Sequence, residues 1–134
     1  MSRLVLCDTG PLYALADPSD QYHSRACDEL AVLADTGIAA AILYPTLAEC
    51  YTLVLRRLGR KYAGDWLKEL AEGALLFNPD PGDYARAQDI LAKYEDQPLT
   101  LFDAVVGSIS LRMQVPVWSY DRHFDVMRVA RWAR

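Results

Sequence analysis

The sequence has few of the features that mark disulfide-bonded, linker-rich or repeat proteins. It contains three cysteines, an odd number, and Cys7, Cys27 and Cys50 are widely spaced among apolar neighbours. This pattern suits buried, reduced thiols and a cytoplasmic protein better than a disulfide framework or a zinc cluster. No Gly/Ser linker, low-complexity tract or repeat interrupts the chain, so we expect one domain over residues 1–134.

Long apolar runs and an excess of positive charge are also missing. The first apolar run reaches Asp8 after a few residues, which is too short for a signal-peptide core or a membrane span, and we expect no membrane association. The formal net charge is −4, whereas proteins that coat nucleic acid non-specifically carry a net positive field. The charge therefore disfavours a general polyanion-coating function, although a bound metal ion could reverse its sign locally.

What the sequence does contain is an alternation of short apolar runs with amphipathic segments. The apolar runs predict strands at 3–7, 38–43, 74–77 and 115–118, and the tail at 126–132 is a candidate for a last strand. The amphipathic segments predict helices at 23–34, 45–58, 60–72, 81–94 and 101–113, with another after the turn at 8–11. Strands separated by helices indicate an α/β fold, a three-layer α/β/α sandwich with a central, mainly parallel sheet.

Four acidic residues, scattered along the chain, stand out against this pattern. Asp8 and Asp121 each follow an apolar strand, and ligands bind outside the carboxyl ends of strands in open parallel sheets. Glu49 and Asp103 interrupt apolar helical segments, where an isolated anion is costly to bury. A cation shared by all four carboxylates would offset that cost.

A site built from carboxylate oxygens favours a hard cation such as Mg²⁺ or Mn²⁺ over zinc. In phosphodiester hydrolysis such an ion neutralises the scissile phosphate, lowers the pKa of bound water and stabilises the leaving oxygen. We therefore predict one catalytic metal site, formed by Asp8, Glu49, Asp103 and Asp121.

Each of these carboxylates also has an ordinary structural explanation. Asp8 and Asp121 could cap a turn or a helix, because aspartate is common at such positions. Asp103 could be favoured in the first turn of its helix by the helix dipole. Glu49 could face solvent or pair with an arginine. Only the joint placement of the four residues favours a shared site.

Residues beside the predicted ligands have candidate supporting roles. Asp125, four residues after Asp121, is a candidate fifth metal ligand, with an exposed surface charge as the alternative. Thr9 and Ser119 carry hydroxyl groups next to Asp8 and Asp121, and could orient those carboxylates or satisfy backbone groups of the turns.

Basic residues could guide a phosphate backbone to such a site in spite of the net charge. A solvated helix end, where cations complement the dipole, is the alternative for each of them. His123 is more typical of a surface or hydrogen-bonded residue than of a catalytic base. The basic candidates are Arg56, Arg57, Arg60, Lys61 and Arg122.

Taken in order and in structural context, these elements resemble the PIN-domain family, and in particular the VapC-type toxins of toxin–antitoxin pairs. The resembling segments are 4–12, which contains Asp8; the helix with Glu49; 101–104, which contains Asp103; and 119–124, which contains Asp121. The likeness spans nearly the whole chain. Ser119 stands where the family's late motif often has threonine, and it keeps the hydroxyl group.

The resemblance implies an endoribonuclease that depends on Mg²⁺ or Mn²⁺. Asp8, Glu49, Asp103 and Asp121 would be its acidic quartet, supported by Thr9 and Ser119. It also implies an RNA substrate, a small antitoxin protein that inhibits the enzyme, and a homodimer.

Two phosphoryl-transfer families fit the sequence less well. A haloacid-dehalogenase-like phosphatase needs a second aspartate where this chain has Gly10, and a receiver domain needs a late lysine where this chain has arginines. Two readings within the resemblance remain open. One is an RNA-processing PIN nuclease without an antitoxin, and the other is a catalytically silent PIN-fold binding module.

Overall fold

A four-stranded parallel sheet lies at the centre of the protein. The computed structural model describes residues 3–133, so Met1, Ser2 and Arg134 of the predicted domain lie outside the described residues. The strands are arranged in the order β3-β2-β1-β4, and each neighbouring pair is parallel. Their bounds are β1 Leu4–Cys7, β2 Ala39–Leu43, β3 Leu75–Phe77 and β4 Val117–Trp118.

Helices cover both faces of this sheet. Helices α1 to α4 pack on one face and α5 to α7 on the other, which confirms the predicted three-layer α/β/α architecture. The helices are α1 Thr9–Ala16, α2 His23–Asp35, α3 Tyr44–Leu58, α4 Arg60–Gly73, α5 Pro81–Lys93, α6 Leu101–Met113 and α7 His123–Val126. No helix within residues 3–133 is long and apolar enough to cross a membrane.

Strand β1 is apolar throughout because both of its faces are buried. Val5 and Cys7 point toward α1 to α4, while Leu6 packs on the side of α5 and α6. Successive side chains of a strand alternate between the two faces of a sheet, so a central strand needs apolar residues at every position. The first polar residue after this run, Asp8, therefore lies at the carboxyl end of a central strand.

The helix boundaries follow local sequence signals. Pro45 lies in the first turn of α3, where its missing N–H costs no hydrogen bond. Gly59 separates α3 from α4 with a φ of 93°, a conformation that residues with a Cβ rarely adopt. The predicted helices and the first four predicted strands are all present, with ends shifted by one or two residues.

The expectation of a last strand at 126–132 is wrong. Residues His123–Val126 form α7, and Arg128 then reverses the chain with a φ of 58°. Only a single bridge between Val117 and Arg131 joins the tail to the sheet within the described residues. Met127 and Val129 are nevertheless buried in the core on the α5 and α6 side of the sheet, and the turn is closed by the Val129 N–H, which donates to the Phe124 carbonyl.

The expectation that all three cysteines are buried is also partly wrong. Cys7 and Cys50 are buried in the core, but Cys27 lies on the exposed side of α2. All three thiols are free, in agreement with the expectation that no disulfide framework forms.

A buried carboxylate joins α5 to α6. Asp83 is fully buried, and Arg112 of α6 donates to both of its oxygens at 2.7 and 3.0 Å. Burial alone would raise the pKa of Asp83, but hydrogen bonds from Arg112, the Asp80 N–H and Arg86 outweigh it and lower the pKa to about 2. Because this value lies below the ordinary one, the stabilisation is present above about pH 4 and is lost as the pH falls toward 2.

We expect Arg112→Met to lower the urea midpoint of unfolding at pH 7 by roughly 1 M, because it removes the main partner of a buried carboxylate. The loss should shrink as the pH falls toward 2, where Asp83 becomes protonated. Urea denaturation followed by circular dichroism at the two pH values measures both effects.

The matched control is Lys61→Met. Lys61 pairs with Asp65 at 3.1 Å, but both side chains are largely exposed, and surface ion pairs contribute little. Equal shifts of the midpoint for the two variants would contradict the stabilising role of the Asp83 cluster.

Candidate active site

The four predicted carboxylates line one open pocket at the carboxyl edge of the sheet. Asp8 follows β1, Asp121 follows β4, Glu49 projects from α3, and Asp103 lies in the first turn of α6. The pocket has a volume of about 440 Å³. Its lining also includes Thr9, Gly10, Thr100, Phe102, Tyr120 and His123.

Asp8 is the most deeply placed of these acids. The residue is 5% exposed, and its Oδ2 accepts a hydrogen bond of 2.7 Å from Ser119 Oγ. The other oxygen, Oδ1, is buried without a hydrogen-bond partner among the described residues. Asp8 precedes α1, yet its side chain makes no capping hydrogen bond. Helix capping therefore does not explain why an acid stands here.

The surroundings of Asp8 disfavour its charged form. Burial is the largest cause and raises the pKa of Asp8 to about 6, with further increases from the charges of Asp103 and Asp121. The hydrogen bond from Ser119 and the nearby Thr9 backbone N–H lower the pKa without cancelling the increase. Among the described residues, the lining of the pocket contains no lysine or arginine that would offset this effect.

Asp103 belongs to both the pocket and the cap of its helix. Its backbone N–H donates to Thr100 Oγ1 at 3.1 Å, and its Oδ2 accepts from the Thr100 N–H at 3.3 Å. This reciprocal capping box fixes the start of α6. Asp103 can therefore both cap α6 and serve in the site, because the capping box holds its carboxylate at the wall of the pocket.

Asp121 is held by a tight turn after β4. Its N–H donates to Ser119 Oγ at 2.9 Å, and its Oδ1 accepts from the His123 N–H at 2.9 Å. Ser119 thereby contacts both aspartates, since the same hydroxyl donates to Asp8. One buried hydroxyl joins the ends of two neighbouring strands.

His123 lies between two of the acids. Its Nδ1 is 3.1 Å from Asp103 Oδ2 and 3.3 Å from Asp121 Oδ2. Because both neighbours are acceptors, Nδ1 carries the proton. Ligand atoms of these three residues lie within 4.8 Å of one another, a spacing that could hold a metal ion.

Glu49 reaches the pocket from the exposed side of α3. Its carboxylate makes no hydrogen bond or ion pair with the residues that the structure describes, although it lines the pocket. The suggested pairing with an arginine is therefore not seen. The carboxylate is free to bind a ligand in the pocket.

Two candidate supporting residues behave differently from Ser119. Thr9 lines the pocket, but its hydroxyl is buried and has no partner within residues 3–133. Asp125 is not brought into the pocket, because it faces outward and Arg131 donates to both of its oxygens at 2.9 and 3.0 Å. Asp121 precedes α7 whereas Asp125 lies within it, so the two acids do not share a helical face.

The five basic candidates lie outside the pocket lining. Arg57 lies over the ring of Tyr13, at 4.9 Å from its centroid, and Lys61 pairs with Asp65. Arg122 is exposed beside Asp121 at the start of α7. Their contact with RNA stays a prediction.

His123, Thr100 and Tyr120 line the pocket, although the sequence reasoning did not select them as site residues. A signal existed for the first two. His123 lies two residues after Asp121, and Thr100 stands three residues before Asp103, the spacing of a capping box. Nothing local marks Tyr120, whose partners are distant in sequence.

We expect Asp8→Asn to stabilise the metal-free protein at pH 7.5, by on the order of 2 kcal/mol. The folded-state pKa of Asp8 is raised from 3.8 to about 6, so wild-type stability falls as the pH rises through this range, and asparagine avoids the loss. The two proteins should be equally stable near pH 4. Urea unfolding in EDTA measures the difference, and a variant less stable than wild type at pH 7.5 would contradict it.

Comparison with known proteins gives a family and a fold. The family model described as PIN domain matches residues 5–130. A search of curated protein sequences gives no match.

Solved structures similar to this chain include toxins and toxin–antitoxin complexes. VapC20 of Mycobacterium tuberculosis aligns with a TM-score of 0.84 and 16% identity, over 97% of this chain and 99% of that one. VapBC2 of Rickettsia felis aligns with a TM-score of 0.75 and 12% identity, over 96% of each chain. FitAcB of Neisseria gonorrhoeae gives 0.68 and 20%, also over 96% of each chain. At these identities the likeness shows a common fold, and because the family model matches almost the whole sequence, the chain belongs to the PIN-domain family.

Proposed function

We propose that this protein is a metal-dependent endoribonuclease and the toxin of a type II toxin–antitoxin pair. The observation that carries the proposal is the convergence of Asp8, Glu49, Asp103 and Asp121 on one pocket. Four acids from separate parts of the chain would repel one another there unless a cation were shared. A divalent ion removes that repulsion and gives the pocket affinity for phosphate.

The residues present fit a hard divalent cation. Asp8 Oδ1 is buried without a partner, and the Glu49 carboxylate is unpaired among the described residues. The available carboxylate oxygens suit Mg²⁺ or Mn²⁺, which also keep waters and bind phosphate oxygens. Asp8, Asp103 and Asp121 would hold the ion, with Glu49 as a ligand or as the acceptor of a proton from water.

The cation would supply charge neutralisation at the scissile phosphate and acidify water for attack on phosphorus. The chain's own residues hold the acids in place. Ser119 fixes Asp8 Oδ2 and the Asp121 backbone, and the Thr100 capping box fixes Asp103. Rigid ligands of this kind are ready for the ion without rearrangement.

RNA is the proposed substrate. VapC20, which shares this fold, is described as a toxin that cleaves the sarcin-ricin loop. Arg122 is exposed beside the pocket, and Arg56, Arg57, Arg60 and Lys61 surround the end of α3. These cations would contact the phosphate backbone outside the acidic pocket.

A small antitoxin is the proposed partner. The similar structures include a toxin–antitoxin complex from Klebsiella pneumoniae, with a TM-score of 0.64, and VapBC2 bound to a DNA fragment from its promoter. We further propose a cytoplasmic homodimer, as the family resemblance implies. The antitoxin would cover the pocket and block access to RNA.

We expect purified wild-type protein to cleave labelled single-stranded or structured RNA with Mn²⁺ or Mg²⁺ and not with EDTA. Asp8→Asn and Asp103→Asn should each lose about 100-fold or more in rate, because each removes an anionic ligand. Cleavage is measured by gel electrophoresis under single-turnover conditions.

Two surface variants serve as controls. Asp89→Asn removes an exposed acid of α5, and Asp125→Asn removes the partner of Arg131; both should retain at least half of the wild-type rate. Metal-independent cleavage by all variants would contradict the mechanism. No cleavage by the wild type with any RNA would favour the binding-module reading.

We expect induced expression of the wild-type chain to arrest bacterial growth, and co-expression of a short adjacent open reading frame to relieve the arrest. Asp8→Asn should not arrest growth, although it should still co-purify with the product of that reading frame. If the protein cleaves RNA in vitro but does not arrest growth, and no partner gene lies beside its own, an RNA-processing enzyme is favoured over a toxin.

A further inference from the structure

A buried glutamate outside the pocket contacts the segment that carries Asp121. Glu29 lies on α2 and is 4% exposed. Its Oε1 accepts hydrogen bonds from Trp118 Nε1 at 3.1 Å and from Tyr120 Oη at 2.6 Å. The two donors are the residues on either side of Ser119.

The second oxygen and the ring of Tyr120 are also held in place. Arg25, one helical turn before Glu29, approaches Oε2 at 3.4 Å. Its guanidinium also lies over the Tyr120 ring, 4.3 Å from the centroid. Tyr22 packs against the same ring, with centroids 4.9 Å apart. Tyr120 therefore packs against α2 and the residue that precedes it, while it also lines the pocket.

The alternation of side chains at the end of β4 explains how α2 can affect the pocket. Side chains alternate along an extended segment, so Trp118 and Tyr120 point to Glu29 while Ser119 points the other way. The Ser119 hydroxyl donates to Asp8 Oδ2 and accepts from the Asp121 N–H. Three consecutive residues thus connect Glu29 to two of the acids.

Three hydrogen-bond donors surround the carboxylate of Glu29. Burial, together with the hydrogen bond to Glu29, raises the pKa of Tyr120 well above its usual range. Its hydroxyl donates to Glu29 Oε1. An unpaired buried carboxylate would be costly, and hydrogen bonds from Trp118, Tyr120 and Arg25 offset that cost at Glu29.

We propose that Glu29 is a positioning residue that sets the placement of Ser119 and Asp121, and through them the affinity of the pocket for its divalent cation. This inference rests on the proposed function, because it concerns the same metal site. Metal ligands act within narrow limits of distance and angle, so groups that orient them affect binding by 10–100-fold.

The test compares Glu29→Met with Glu29→Gln. Methionine has a similar length but accepts neither hydrogen bond well, whereas glutamine keeps an oxygen for Trp118 and Tyr120. We expect Mn²⁺ binding, measured by isothermal titration calorimetry, to weaken about 10-fold in Glu29→Met and less than about 3-fold in Glu29→Gln. The RNA cleavage defect of Glu29→Met should shrink as Mn²⁺ is raised.

A matched control separates positioning from general loss of stability. Arg112→Met also removes a partner of a buried carboxylate, Asp83, but does so at the α5–α6 contact. It should lower the urea midpoint while leaving Mn²⁺ affinity within about 2-fold. If Glu29→Met does not fold, Tyr120→Phe removes one of the two hydrogen bonds to Oε1 and should weaken Mn²⁺ binding about 3-fold.

The outcomes are distinguishable. Absence of Mn²⁺ binding by the folded wild type would overturn the proposed function and this inference with it. If the wild type binds Mn²⁺ and both Glu29→Met and Tyr120→Phe bind it equally well, the positioning role alone is overturned. An equal loss of affinity in Arg112→Met would also overturn it, because the effect would then follow stability.

Discussion

The structure depends on one constraint, a carboxylate buried at the end of the central strand. Asp8 follows a strand that is apolar on both faces, and its carboxylate is therefore buried at the end of that strand. Ser119 compensates one oxygen, and the other has no partner among the described residues. The charges of the other acids in the pocket further destabilise the ionised form of Asp8, and a bound cation would stabilise it instead.

The elements around Asp8 reduce its freedom more than they neutralise its charge. Ser119 joins the ends of β1 and β4, Thr100 fixes Asp103 through the cap of α6, and Glu29 holds the residues that flank Ser119. The donors in these contacts are neutral hydroxyl, indole and backbone N–H groups. The chain thus holds these carboxylates in fixed positions, and the burial of Asp8 lowers stability, as functional sites commonly do.

Much of the fold and part of the site follow from local sequence patterns. Apolar runs and helical periodicity predict the strands and long helices, and the rule that ligands bind at strand ends brings Asp8 and Asp121 together. The prediction of a last strand at 126–132 is wrong because Arg128 adopts a positive φ, which the residue types in this segment do not predict. The contacts of Glu29 join residues separated by 89 and 91 positions, so only the folded chain reveals them. The position of His123 between Asp103 and Asp121 is likewise a tertiary effect.

The central claim is that these carboxylates together form one cation site. Its most direct measurement is an anomalous difference map from crystals of the wild-type protein soaked in Mn²⁺. We expect a peak within bonding distance of carboxylate oxygens of Asp8 and of Asp103 or Asp121. A Mn²⁺ ion bound only elsewhere on the protein, with this pocket filled by water alone, would contradict it.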